Sequence, residues 1–239
     1  MADPVLLNNV DHADLRVRVA HGAAHGDEAN QVAIFPTEFE EAQREFPILF
    51  RRTSDGGFTA VVLTGLDANE NLFFDGTHWT TRYVPAVQGR GPFSIGITRG
   101  EDGAPGEPMI HVDMTDRRVG AADGVAVFRE HGGNAPYLDA VAETLGRLYT
   151  GVSEAPAMFA AFEAAAMIEA VTLDIEVGDG RRYQLPDCYT IAQARLAALD
   201  GEALERLHRD GHLALAFYAA ASLRNISRLI ELKTARDRT

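Results

Sequence analysis

Residues 171–185 read VTLDIEVGDGRRYQL, and this stretch decides the fold class. Val171, Leu173, Ile175 and Val177 alternate with Thr172, Asp174 and Glu176. That is the period of a strand with one buried and one wet face. Gly178-Asp179-Gly180 predicts a turn, and residues 181–185 a returning strand. The hairpin stands inside alanine-rich helical sequence. Upstream, Asn134-Ala135-Pro136 signals a helix start, with proline near the first helical position. Leu138, Val141, Leu145 and Leu148 then share one face of a helix over 137–149. Gly151 is expected to end that helix and Ser153 to begin a second one through residue 168. Downstream, Thr190-Ile191-Ala192-Gln193 matches a capping box, and helices are expected at 191–199, 201–210 and 212–233. A hairpin set among helices implies an α+β fold with antiparallel pairing.

The first ~135 residues read mainly as strands with one early helix. Thr37-Glu38-Phe39-Glu40 is a second capping box, Phe39, Ala42 and Phe46 mark the helical face, and Pro47 stops it. Residues 31–35 are a short apolar run, and strands are expected at 47–52 and 58–65. Two more, at 71–74 and 77–84, flank Asp75-Gly76, a favoured hairpin pair because glycine tolerates positive φ. Strands at 91–98 and 109–114 surround a polar Gly/Pro loop over 100–107, and 125–128 is a short seventh. The loop is too short to separate domains. The reading is one domain over 1–239, with a mainly β subregion at 1–133 and a mainly α subregion at 134–239 that carries the hairpin 171–185.

Charge and composition exclude several classes of function. Asp and Glu number 35 against 22 Lys and Arg, a formal charge of −13. A field of that sign repels phosphate backbones, which argues against general nucleic-acid binding. The C-terminal cations Arg224, Arg228, Lys233, Arg236 and Arg238 are expected to complement a helix dipole rather than form a basic patch. Cys188 is the single cysteine, so no intramolecular disulfide forms, which fits a reducing compartment. Asp3, Asn8, Asn9, Asp11 and Asp14 interrupt any secretory apolar stretch. No run reaches the ~20 apolar residues of a membrane span. A cytoplasmic location without a membrane span is the expectation.

Two groups of residues could carry chemistry or binding. In His111-Val112-Asp113 the outer residues share one face of a strand. An imidazole and a carboxylate side by side are two-thirds of a facial triad for Fe(II), and mixed N/O ligands also suit Zn. His131, beside Gly132-Gly133, is the candidate third ligand; His208 and His212 are the alternatives. His208 and His212 are four apart, but Gly211 between them reads as a helix cap. The bland reading of His111 and Asp113 is a half-exposed strand pair with local hydrogen bonds. The other group is aromatic: Phe73, Phe74, Trp79, Tyr83 and Phe93, with Arg82 and Arg90. It either packs a core or lines a ligand groove through Trp79, Arg82, Tyr83, Arg90 and Phe93. Cys188 has no histidine beside it, and Ser222 lacks a nucleophile-elbow context. Pro92 after Gly89-Arg90-Gly91 makes a poor phosphate cradle.

Several segments resemble the SapC family of bacterial proteins. They include Asn30-Gln31-Val32, Phe35-Pro36-Thr37-Glu38-Phe39, Glu45-Phe46-Pro47-Ile48-Leu49-Phe50, Leu63-Thr64-Gly65-Leu66, Glu70-Asn71-Leu72-Phe73 and Arg82-Tyr83-Val84-Pro85-Ala86. Later segments are Gly91-Pro92-Phe93, Tyr189-Thr190-Ile191, Leu207-His208-Arg209 and Ala221-Ser222-Leu223 with Arg228-Leu229-Ile230. The likeness runs from about residue 5 to residue 233. The family takes its name from a surface-layer association, and its genes often stand beside those of outer-membrane receptors, flavin-dependent halogenases and cupin-like oxygenases. The resemblance brings no catalytic residues with it. It implies a non-catalytic binding or accessory protein acting with such systems. The alternatives are an Fe(II) oxygenase-like enzyme using His111 and Asp113, and a surface-layer component. No cofactor is expected, with Fe or Zn only under the enzyme reading. Partners would be a small molecule, a peptide or a protein. Leu213, Phe217, Ala220, Leu223, Ile226 and Ile230 form an apolar stripe over 212–233. That stripe faces the chain's own core or carries homo-oligomerisation.

Overall fold

The computed structural model of the chain describes residues 4–99, 105–178 and 180–238. Its strands are β1 (Pro4–Leu6), β2 (Arg16–Val17), β3 (Gln31–Ile34), β4 (Ile48–Arg52), β5 (Phe58–Leu63), β6 (Phe93–Arg99), β7 (Pro105–Asp113), β8 (Val125–Ala126), β9 (Ile168–Glu176) and β10 (Arg182–Ile191). Its helices are α1 (Phe39–Ala42), α2 (Ala86–Gly89), α3 (Pro136–Ala164), α4 (Gln193–Ala197), α5 (Gly201–Arg209), α6 (His212–Ser222) and α7 (Ile226–Arg236). All strand pairs are antiparallel, and the fold is α+β as the sequence implies. The elements fall into two compact units, each drawn from two stretches of chain. One takes residues 1–21 and 86–149, the other 22–85 and 150–239. The change from strand to helix near residue 134 falls inside the first.

In the first unit the sheet order is β1-β7-β6, with β2 paired to β8. Phe93 and Val112 from the sheet pack with Val17, Val127 and Phe128 against Leu138, Val141 and Leu145 of α3. The helical face legible in the sequence is therefore the buried one.

The second unit holds a five-stranded sheet of order β3-β5-β4-β10-β9. Phe50 of β4 meets Phe159 of α3 edge-on at 5.2 Å and stacks on Phe162 at 6.3 Å. Ser222 is fully buried here. Its hydroxyl accepts the Ile48 amide at 2.8 Å and donates to the Ala219 carbonyl at 2.6 Å. This ties the end of α6 to the start of β4.

Several local expectations are corrected. Gly151 does not end a helix; α3 runs through it for 29 residues, with Pro156 inside. A Cβ at 151 would sit 2.5 Å from the Phe35 Cβ and 2.7 Å from the Thr37 Oγ1. The glycine is there for close approach, not for a turn. The helix ends at Ala164. Ala166 takes φ 52°, and the Met167 amide reaches back to the Phe162 carbonyl at 2.9 Å, a Schellman-type stop.

Neither capping box forms as expected. The first turn starts two residues earlier, with Pro36, and the Glu38 carboxylate accepts the Phe35 amide at 3.0 Å. Thr190 stays in β10, and α4 starts after Ala192 without a side-chain cap. The hairpin at Asp75-Gly76 shrinks to one bridge, Phe74 with Trp79. Asp75 accepts the amides of Thr77 and His78 at 2.8 and 2.7 Å, which bends the chain locally instead of extending it. The last helix is broken by a tight turn at Leu223–Asn225. The expected loop over 100–107 is strand from Pro105 onward, and its residues 100–104, like Asp179 of the expected turn, lie outside the described residues.

Candidate functional site

β7 places His111 opposite Leu6 and Ser94, and Asp113 opposite Pro4. The His111 ring lies over Gly96, where an added Cβ would fall 2.4 Å from a ring carbon, and its Nδ1 lies 3.1 Å from the Met109 carbonyl. Asp113 accepts the amide and hydroxyl of Thr115 at 2.9 and 2.6 Å. His131 is exposed in the loop before α3. Among the described residues no three His, Cys, Asp or Glu side chains gather to hold a metal. The expected triad of His111, Asp113 and His131 is therefore not brought together. His208 lies in the last turn of α5 and His212 begins α6, with Gly211 at φ 77° between them.

The aromatic group belongs to both units. In the second, Trp79 is buried and its indole donates to Asp27 Oδ1 at 2.7 Å. The Tyr83 hydroxyl, also buried, donates to Glu38 Oε1 at 2.6 Å. Arg82 is exposed, and its amide lies 3.3 Å from Glu45 Oε1. In the first unit Arg90 donates to the Phe93 carbonyl at 2.8 Å. Burial, with the charge of Arg118, holds the Arg90 guanidinium below its ordinary value. Phe93 is fully buried and meets Tyr137 edge-on at 6.0 Å. Apart from that of the exposed Arg82, each of these side chains is engaged within its own unit.

A buried ionic cluster in the second unit is not legible in the sequence. Lys233 Nζ lies 2.7 Å from Asp67 and from Glu70, and 3.2 Å from Asp237. Burial works to lower the Lys233 pKa, but hydrogen bonds to Asp67, Glu70 and Asp237 outweigh it and the net shift is upward. The Lys233 hydrogen bond in turn holds Asp67 below the usual carboxylate range. Nearby, Arg236 donates to the carbonyls of Asn71 and Phe74 at 3.1 Å, and Arg228 pairs with Glu45 at 2.7 Å. These C-terminal cations do more than complement a helix dipole: they tie α7 to residues more than 160 positions earlier. The segments that resemble the SapC family supply Glu38, Glu45, Glu70, Asn71, Tyr83 and Arg228, and here all six hold the unit together. Cys188 is buried, and burial pushes its thiol up, away from the reactive thiolate.

One surface feature of the second unit is not spent on the fold. A groove of about 460 Å³ runs between α4 and α6. Leu196 and Ala197 from α4 and Phe217, Ala220 and Ala221 from α6 line it, with Arg224 at one end. Phe217 is 53% exposed. Ala214 and Ala221, three residues before it and four after, are exposed on the same side. From Leu213 to Ser222 the helix carries no charge, so α6 is apolar on its outer as well as its inner face. Such a helix is normally covered. The guanidinium of Arg224 has no hydrogen-bond or ion-pair partner among the described residues. The groove therefore offers apolar surface, the Gln193 amide and one free cation, and no acid, base or nucleophile. The stripe over 212–233 marks this helix in the sequence, but not which of its residues face outward.

Among the described residues no helix is long and apolar enough to cross a membrane. No curated protein and no solved structure gives a significant match to the chain. The family model for SapC matches residues 7–229 of the 239, nearly the whole length and both compact units, and the chain belongs to the SapC family.

Proposed function

We propose that this chain is a non-catalytic accessory protein of the cytosol that acts by docking a protein surface on the groove between α4 and α6. The observation that carries the reading is Phe217, a large aromatic 53% exposed on the outer face of an uncharged helix. Exposed apolar patches with a polar rim are where proteins meet partners. The side chains with chemical potential support the same reading, because they are occupied. Ser222 bridges α6 to β4, and Asp27 and Glu38 hold Trp79 and Tyr83. Asp113 closes its own turn, and Cys188 is buried.

Size measurement of the native protein in extracts of its own cells tests this. The wild-type chain should migrate well above its own 25.9 kDa, and F217D should migrate at that mass while remaining folded. A wild-type chain that migrates alone removes the docking reading. Recovery of the chain in a membrane or surface fraction removes the cytosolic part.

A further inference from the structure

We infer that the occupant of this face is a second copy of the same chain, crossing antiparallel over α6 with Phe217 near the two-fold axis and Arg224 of each copy paired with Asp210 of the other. The inference rests on the docking reading above and names its partner. A two-fold interface must be self-complementary, because one patch serves as both halves. Here a protruding side chain and a recess lie next to each other on one surface. Phe217 stands beside the space bounded by Leu196, Ala197 and Ala220, so two copies related by an axis near Phe217 each offer a ring to the other's recess. Ala214 and Ala221 flank the ring on the exposed side, and small residues at a crossing let two helices approach closely.

The charges fit the same register. Arg224 lies seven residues after Phe217 and Asp210 seven before it. Arg224 follows the C-terminal end of α6, and Asp210 precedes its N-terminal end across Gly211, so an antiparallel pair sets the Arg224 end of one copy beside the Asp210 end of the other. Both side chains are exposed, and neither has a partner among the described residues. The pairing occurs twice, once on each side of the axis. It also supplies the choice of orientation, because a parallel crossing would set Arg224 against Arg224.

The test is sedimentation of the purified full chain from about 1 to about 100 μM, read as a dissociation constant. The wild type should pass from 25.9 kDa to twice that mass within this range. F217D should weaken association at least about 30-fold, as loss of a central aromatic anchor does. R224D and D210R should each weaken it about tenfold, and the double variant R224D/D210R should return to within about threefold of wild type. All three positions are exposed, and circular dichroism confirms that the variants fold. A wild type that stays at 25.9 kDa throughout, or a double variant no better than its parents, overturns the inference. If the purified chain is monomeric while the extract still holds a Phe217-dependent complex, the second copy is refuted and the docking reading stands on another partner.

Discussion

Replacing Lys233 by methionine isolates the charge that closes the second unit, because methionine keeps most of the apolar stem. Lys233 is 4% exposed at its side chain and Glu70 10%, whereas Asp67 is 52% and Asp237 22% exposed. Removing one partner of a buried ion pair costs about 3–5 kcal/mol. Asp67 and Asp237 can turn to water, and Glu70 keeps the amides of Leu66 and Asp67, so the low end, about 3 kcal/mol, applies. In a chain of this size that lowers the melting temperature by about 6–12 °C. Trp79, the single tryptophan, sits in the same unit, and its fluorescence reports the transition. The dependence on pH has a definite sign. In the wild type the raised Lys233 pKa gives stability that is present below the unfolded value and lost only as pH rises through the folded one. The depressed Asp67 pKa gives stability present above its unfolded value and lost as pH falls through the lowered one. In K233M the cation that holds Asp67 down is gone, so the folded pKa of Asp67 rises toward its ordinary value. The penalty is then present at neutral pH and shrinks only as pH falls through the ordinary carboxylate range, so the gap between variant and wild type narrows from about pH 7 to about pH 3. A drop below about 2 °C near pH 7, or an equal drop at both values, refutes the reasoning.

Gly151→Ala should lower the melting temperature, by the equivalent of about 1–3 kcal/mol of overpacking, because the new Cβ meets Phe35 and Thr37. Helix propensity alone predicts a gain of up to about 1 kcal/mol, so a rise in melting temperature overturns the close-approach account. Asp75 should titrate at about 2, held down by the amides of His78 and Thr77 and the Thr77 hydroxyl. Its support of the turn is present above the ordinary carboxylate value and is lost as pH falls through about 2. Carboxyl NMR measures this directly, and a midpoint at the ordinary value, or one unmoved in T77A, would refute the turn geometry.

The alternation at 171–177 is enough to locate β9, because a two-residue period over seven positions has no helical equivalent. It does not reveal how far the partner strand runs. The returning strand is expected only over 181–185, yet β10 continues through Pro186: the register slips between Leu185 and Cys188, and Asp187 takes φ 57°, so a bulge absorbs the missing amide. Gly151 misleads for a related reason. From sequence a glycine shows only its freedom, whereas what keeps it here is the approach of Phe35 from over a hundred positions away. The aromatic segment 73–83 correctly signals burial, but not that the polar ends of Trp79 and Tyr83 seek Asp27 and Glu38. The Lys233 cluster is invisible because Asp67 and Glu70 lie more than 160 positions from it. The outward face of α6 escapes detection because a stripe at helical spacing reads the same whether its own chain or another covers it.

The order in which the chain visits its two units bears on how the protein can be made. Residues up to 21 are committed to a unit whose other strands begin at residue 93, since β1 pairs with β7 and β2 with β8. Strands β3 to β5 likewise wait for β10, and Asp67 and Glu70 wait for Lys233. During synthesis, therefore, the first unit can close only once residue 149 has emerged, and the second only when the last turns of α7 have. Long-range closure of this kind is slow and leaves strand edges open meanwhile. It makes α7 the latch of the second unit, and no single cut in the chain separates the two units with both intact.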